Sequence, residues 1–482
     1  MSDIYSYFIT HSTDFLAGGG RLGFITSDRW LDTRYGEDLQ QFVLDNFTVD
    51  AVIKFNRQTF EDALVGSCVV VLTKEEDSTV RNEHVAKFLR VNESLDIDEI
   101  TSVIGDEYEP DQMIRREDLR LVTRKQRALY KEAKWSVFFN APPTYFDILG
   151  QDDTVELSDR AEITRGITSG ANDFYYGRTE EWEQLGLDEY VRPLLKASGQ
   201  VSKIEFDEAA AEEWAYLSIH DLVEKALAEA DDEYSDRESG EKVKEWLAEN
   251  GHVTLVEYIE WGEDQGFPDR QGSDMQGRDI WFDLGEINPA PIVMTRFTWR
   301  EHRVLWNEAG AMGTTQFYYV ILISGVDPMV LCGVLNSRVA WLMCELKGRW
   351  TGGQGMARVE LKIYEADQLP IPDPERISEE HQTQIRESFE QLINRENEFG
   401  EDVSVDATEA ERDALDRVVL ATIGMEDRLD ELKTAVARSV MMREQAGGEH
   451  TEVLIDRPTE TEVIELEGVT QARESATLSD YE

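Results

Sequence analysis

Residues 17–31, AGGGRLGFITSDRWL, followed by VDAVIKF at 49–55 and SCVVVLTK at 67–74, decide how this chain is read. Arg21 to Thr26 is short, apolar and preceded by glycines, as a buried strand would be. Val49 to Phe55 and Ser67 to Thr73 are β-branched runs separated by 11 residues, too many for a tight hairpin turn. Ser2 to Ala17 sets Ile4, Tyr5, Phe8, Ile9, Phe15 and Leu16 at helical spacing. Tyr35 to Asn46 places Leu39, Phe42 and Val43 on one helix face. Helix, strand, helix, strand, loop, strand predicts an α/β layer. Gly18-Gly19-Gly20 precedes its strand, whereas a phosphate-cradling glycine loop follows a strand and opens a helix. The triplet therefore reads as a helix stop and turn.

The chain carries 99 acidic against 48 basic residues, a formal net charge of −51, and Arg outnumbers Lys by 34 to 14. The acid is spread along well-patterned segments. That pattern favours adaptation to a salt-rich (halophilic) cytoplasm over an acidic protein that mimics or avoids nucleic acid. Salt near 1 M screens charge to within roughly 3 Å, so the acidity does not exclude a DNA partner. With 482 residues, of which 41% are hydrophobic, two to four domains are expected. No run approaches the roughly 20 apolar residues that span a membrane. The N-terminus MSDIYSYF lacks the regions of a secretory signal. Cys68, Cys332 and Cys344 have no CxxC spacing and are expected as reduced core thiols of a cytoplasmic protein. The seven histidines show no ligand spacing, so no metal site is expected; His302, between Glu301 and Arg303, is expected at the surface.

Farther along, Val80 to Lys134 is charged and mixed, and is expected to hold a strand at His84 to Val91 and helices that bridge outward. NAPPTY at Asn140 to Tyr145 reads as a domain-boundary turn. The expected division is 1–134, 135–374 with a solvated acidic insertion at about 204–286, a helical region at 375–446, and a disordered acidic tail at 447–482. Two amphipathic helices are predicted over about Ser378 to Glu398 and Thr408 to Glu444.

DIYSYFITHSTDFLAGGGRLGFITSDRWL resembles the stretch just after the catalytic motif of TaqI-type adenine-specific DNA methyltransferases, and the order of elements through Lys74 follows theirs. The resemblance implies a partial Rossmann-like methyltransferase sheet, then a mixed α+β target-recognition domain and C-terminal helices. It implies that Phe8 borders the adenine of S-adenosylmethionine and that Phe60 stacks on a flipped target adenine, which needs an aromatic face once it leaves the duplex. The other reading of Phe60 is a core residue beside Leu64, against which Glu61 and Asp62 argue for a loop. The family's glycine-bearing cofactor loop and its Asn-Pro-Pro-Tyr motif do not occur here; NAPPTY lies past the sheet and has Ala141 interposed. The chain is therefore expected to be the C-terminal portion of such an enzyme, with S-adenosylmethionine as the whole enzyme's cofactor but not bound by this portion alone. The expected partners are double-stranded DNA and, as a separate chain, an N-terminal methyltransferase half or a restriction subunit. A stand-alone DNA-binding specificity protein without catalysis is the alternative.

Glu162 to Gly177, EITRGITSGANDFYYG, resembles the opening of the family's recognition domain. There Arg165, Thr168, Ser169 and Asn172 sit at a glycine-relaxed bend, placed to approach phosphates or base edges. Residues 296–358 carry seven basic residues against four acids, a locally positive stretch in a strongly acidic chain. Arg296, Arg300, Arg303, Lys347, Arg349 and Arg358 are its candidate DNA contacts, with Gln354 in the loop GRWTGGQG. Arg349 and Gln354 can both read base edges bidentately. Asn336 and Ser337 are expected to cap or break a helix.

Overall fold

The computed structural model describes residues 3–55, 66–92, 95–229, 236–270, 278–323, 325–351, 357–399, 405–446, 458 and 460–466. Helix α1 (Ile4–Ser12) leads into strand β1 (Arg21–Ser27), helix α2 (Arg34–Asn46), and strands β2 (Phe47–Phe55) and β3 (Ser67–Lys74). β3 lies between β1 and β2 and is antiparallel to both. The layer predicted from the opening stretch is thus present. Val52, Val70 and Leu72 are fully buried within it. Each such side chain contributes about 1.5–3 kcal/mol by leaving water.

The expected outward bridge instead continues the sheet. Strands β4 (Val85–Val91), β5 (Gln112–Arg115) and β6 (Leu119–Lys125) extend it in the order β1-β3-β2-β4-β6-β5. β4 runs parallel to β2, and its alternate residues Phe88 and Leu89 pack into cores on opposite faces. The acidic tail also departs from expectation. Glu462–Glu465 pairs antiparallel with β5 as the seventh strand, because Val463 and Ile464 supply a short β-branched run that completes the sheet.

The main apolar core runs unbroken from this sheet through Trp135, Phe139, Tyr145 and Ile163 to Leu335, Leu415 and Leu432. NAPPTY is consequently internal: Ala141, Tyr145 and Phe146 are buried, and Pro143–Leu149 forms a short helix. A four-stranded antiparallel sheet follows, ordered Val304–Trp306, Ile292–Thr295, Phe317–Leu322, Ala161–Arg165. The acidic insertion is a folded lobe rather than a solvated excursion. Its helices His220–Glu229, Asp236–Glu249 and Val253–Asp264 bury Val223, Leu247, Leu255 and Ile259 in a second core, with the acids on their outer faces.

Ser337 caps helix Arg338–Lys347, accepting a hydrogen bond from the Ala340 amide at 3.3 Å, while Asn336 clasps the Val304 backbone. Of the two C-terminal helices predicted, the first is Glu379–Phe399. The second is divided into Glu409–Ala421 and Leu429–Ala446 at Gly424, whose φ of +69° suits glycine. His302 is buried rather than exposed: its Nε2 meets the Leu335 carbonyl at 2.7 Å and its ring stacks near Trp341. The three cysteines are free and buried. No single helix among the described residues is long and apolar enough to cross a membrane.

Candidate functional site

Phe297–Thr298, Arg358–Glu360 and Arg349–Thr351 form a three-stranded antiparallel sheet. Phe297 and Arg349 both lie opposite Glu360, and Thr351 lies opposite Arg358. Side chains alternate along strands, so Phe297, Arg349, Thr351, Arg358 and Glu360 share one face. Thr298 and Val359 on the other face are buried, which turns the first face outward. There the Arg358 guanidinium lies 3.7 Å from the centroid of Phe297 and 5.5 Å from that of Trp299, itself 40% exposed. Among the described residues Arg358 forms no ion pair, and its Nε has no hydrogen-bond partner. It is a cation held by aromatic faces.

Around this centre the cations are partly neutralised. Arg296 meets Glu360 at 2.6 Å, and Lys362 bonds the same carboxylate. Arg349 donates from Nε to Glu365 at 2.7 Å and also bonds the Tyr364 hydroxyl, whose ring lies 5.7 Å from Arg34 of α2. The three-stranded face thereby reaches the opening α/β layer. Arg165 ends the strand Ala161–Arg165, opposite Tyr318, with its side chain exposed and no ion pair among the described residues. Burial raises the Tyr318 phenol, and the charges of Arg296 and Arg165 oppose it. Two predicted contacts, Arg165 and Arg296, therefore flank one tyrosine, whose hydroxyl donates to Leu361 at 2.9 Å.

After Arg165 the chain turns sharply. A Cβ on Gly166 would stand 2.3 Å from the carbonyl oxygens of Gly313 and Thr314, so glycine is required. Arg278 then donates to the carbonyls of Thr168 and Ser169, and the Ser169 hydroxyl bonds Asn172 Oδ1. Ser169 is buried and braces the bend, Thr168 is half-buried and Asn172 is exposed. Arg278 was not anticipated. Nothing local in its sequence points to carbonyls 109 residues away.

Two predicted contacts are engaged within the fold. Arg303 bonds Glu301 at 2.7 Å and the Ser202 carbonyl. Lys347 meets Glu132 at 2.7 Å; burial works against its charge, but Glu132 and Tyr145 hold its affinity for the proton above the usual lysine range. Arg300 is 87% exposed, 3.3 Å from Glu444. Phe60 and Gln354 lie outside the described residues.

At the other end, Phe8 is 55% exposed on α1, its ring stacked 6.5 Å from Phe24 of β1. A cavity of about 400 Å³ lies elsewhere, between Arg124, Lys131, Phe138, Phe146 and Lys347, and does not reach Phe8.

Residues 140–403 match the Type II methyltransferase M.Eco57I C-terminal domain, and residues 1–60 match the Eco57I restriction-modification methylase. The chain belongs to the M.Eco57I C-terminal-domain family. The match begins at Asn140 and spans the three-stranded face, the Arg165 bend and the acidic lobe. The chain is 22% identical to the Type II methyltransferase M.AccI of Acinetobacter calcoaceticus over 367 residues, 74% of this chain and 60% of that one. It is 35% identical to M.BstVI of Geobacillus stearothermophilus over 82 residues, 16% of this chain and 15% of that one. The chain thus spans less than two thirds of these relatives. A solved Type IIL restriction-modification enzyme, MmeI, in complex with DNA, aligns at a TM-score of 0.46 and 10% identity, over 90% of this chain and 51% of that one.

Proposed function

We propose that this chain is the DNA-recognising, C-terminal part of an adenine-specific DNA methyltransferase of a restriction-modification system. The whole enzyme would move a methyl group from S-adenosylmethionine to adenine N6. The observation that carries this reading is the outward face on which Arg358 lies over Phe297 beside Trp299, adjoining Arg296 and Arg165. An unpaired guanidinium held on aromatic rings, as that of Arg358 is, suits phosphate and base-edge contact, because its donors stay free while its apolar plane is covered. Arg165, Asn172, Arg296, Arg300 and Arg358 are the described candidates for direct DNA contact. Arg303 and Lys347 would act by bracing the domain. Arg349, tied to Glu365, would orient the hairpin that leads into residues 352–356 and Gln354.

The sheet order β1-β3-β2 supports a Rossmann-like methyltransferase layer, since the central antiparallel strand places β1 and β2 parallel. Phe60 would stack on the extruded adenine. Phe8 would border one face of the cofactor's adenine. An N-terminal methyltransferase half, contributed by preceding sequence or a separate chain, would meet the β1 edge. There Ile4, Tyr7, Phe8, Phe15 and Ile25 are exposed.

The test is duplex binding by the full chain across a randomised set of sites, with adenine methylation measured after co-expression with an N-terminal half. Sequence-selective binding lost on Arg165→Ala or Arg358→Ala is expected. Binding that ignores both substitutions would overturn the reading.

A further inference from the structure

Four cations stand side by side across the large sheet. Lys54 on β2 is opposite Arg90 on β4, Arg90 is opposite Arg120 on β6, and Arg120 is opposite Arg115 on β5. Like charges directly opposite on neighbouring strands repel, so such a row needs anions. At its two ends they are supplied within the chain. Lys54 meets Asp28 at 2.7 Å, and Arg115 meets Glu462 of the last strand at 3.2 Å. Arg124, two residues beyond Val122 on the same face, has Asp111 at 2.8 Å.

The central two have no such partner. Arg90 is 3% exposed and Arg120 is 7% exposed, and neither meets a carboxylate among the described residues. Arg90 donates once, to Asn140 Oδ1 at 3.2 Å, and Arg120 donates to the Ala141 carbonyl. Both Nε atoms are buried without a hydrogen-bond partner. A guanidinium has five N–H donors, and among the described residues one protein acceptor answers each of these two groups. Burial first, and then the neighbouring Arg115 charge, pushes Arg90 down to about 9, and burial, with the charges of Arg90 and Arg115, holds Arg120 well below the usual arginine range. An unpaired buried charge costs several kcal/mol. Two facing each other imply a ligand that answers both.

We propose that Arg90 and Arg120, bracketed by the Asn140–Ala141 turn, form a binding site for a phosphate-class oxyanion. A tetrahedral anion can accept from two guanidinium forks at once, whereas a planar carboxylate matches one fork and a halide none. Asn140 is partly exposed, so the site opens at the turn. The row lies at the end of β2 from which residues 56–65 emerge. The phosphate is therefore either free phosphate or a phosphodiester of bound DNA; only the second source rests on the function proposed above.

The experiment is thermal unfolding of the full chain in inorganic phosphate against chloride at matched ionic strength, for the wild type, Arg120→Met, Arg90→Gln and the control Arg417→Ala at an exposed helix position. Phosphate is expected to raise the midpoint of the wild type and of the control in a saturable way. Both site variants should weaken phosphate binding about tenfold or more. In phosphate-free buffer, Arg120→Met should be no less stable than the wild type, because it removes an unanswered charge. If the source is DNA, phosphate will compete with a short duplex and Arg120→Met will lower duplex affinity and reduce the salt slope by about one. If the source is free phosphate, duplex affinity will be unchanged while phosphate stabilisation is lost. Identical midpoints in phosphate and chloride, or a full wild-type phosphate response in both site variants, would overturn the site.

Discussion

The Arg443 guanidinium donates to the Glu345 carboxylate at 2.8 Å, with neither side chain more than 1% exposed. Trp341 donates to the same carboxylate, and Arg443 also reaches the Ala357 carbonyl at 2.6 Å. The pair fastens the C-terminal helix Leu429–Ala446 to the helix Arg338–Lys347 and to the strand bearing Arg358. Removing one partner leaves a buried charge, so Arg443→Met should cost about 3–5 kcal/mol of stability. The double variant Arg443→Met/Glu345→Gln should recover much of that loss. Denaturant titration measures both, and equal losses in the single and double variants would contradict the argument.

Arg358 and Arg349 should separate into two kinds of variant. Arg358→Ala removes a cation that pairs with no carboxylate among the described residues, so it should leave stability nearly unchanged and weaken duplex binding by about 1–3 kcal/mol. Arg349→Ala strands Glu365, 5% exposed in the pair, so a drop in melting temperature should accompany any loss of binding. Calorimetric melting alongside duplex titration distinguishes them.

His302 makes the fold sensitive to acid. Burial lowers its pKa to about 4, from about 6.5 when unfolded. Above pH 6.5 the ring is neutral in both states and contributes no pH dependence. As pH falls from about 6.5 toward 4, only the unfolded chain takes up the proton, and stability on the order of 3 kcal/mol is lost. Comparing melting temperatures of the wild type and His302→Gln over that range isolates this residue. Parallel curves would show that the ring titrates normally in the fold.

Amide exchange should be uneven across the large sheet. Among the described residues β1 pairs only with β3, whereas β3 is bonded on both sides. Amides of β1 that point away from β3 should exchange much faster than those of Val69 to Leu72. Protection of both β1 edges in the isolated chain would mean that the apolar edge is already covered.

S-adenosylmethionine should show no saturable binding to this chain at micromolar concentration, since Phe8 supplies one wall alone. Calorimetry in high salt checks this. Saturable heat would place a cofactor site within the chain.

The local elements were legible from residue order because their signals are local. The β-branched runs ending at Phe55 and Thr73, the helix over Leu39 and Val43, and the Ser337 cap each declare themselves within a few residues. Charge state was not legible, because it depends on partners distant along the chain. Arg303, Lys347, Arg349 and Arg358 look alike as sequence. Arg303 is tied to Glu301 and to the Ser202 carbonyl far back in the chain, Lys347 to Glu132 and Arg349 to Glu365, while aromatic faces hold Arg358. The same holds for Glu462–Glu465, which reads as acidic tail until the free edge of β5 gives its backbone groups partners, and for His302, which sequence neighbours assign to water and packing against Leu335 and Trp341 assigns to the core. By itself the sequence determined which segments could be helix or strand and where apolar faces lay. Only tertiary structure decided which cations are paired and which are held on aromatic faces, because a buried charge must be answered by whatever the fold brings within hydrogen-bond reach.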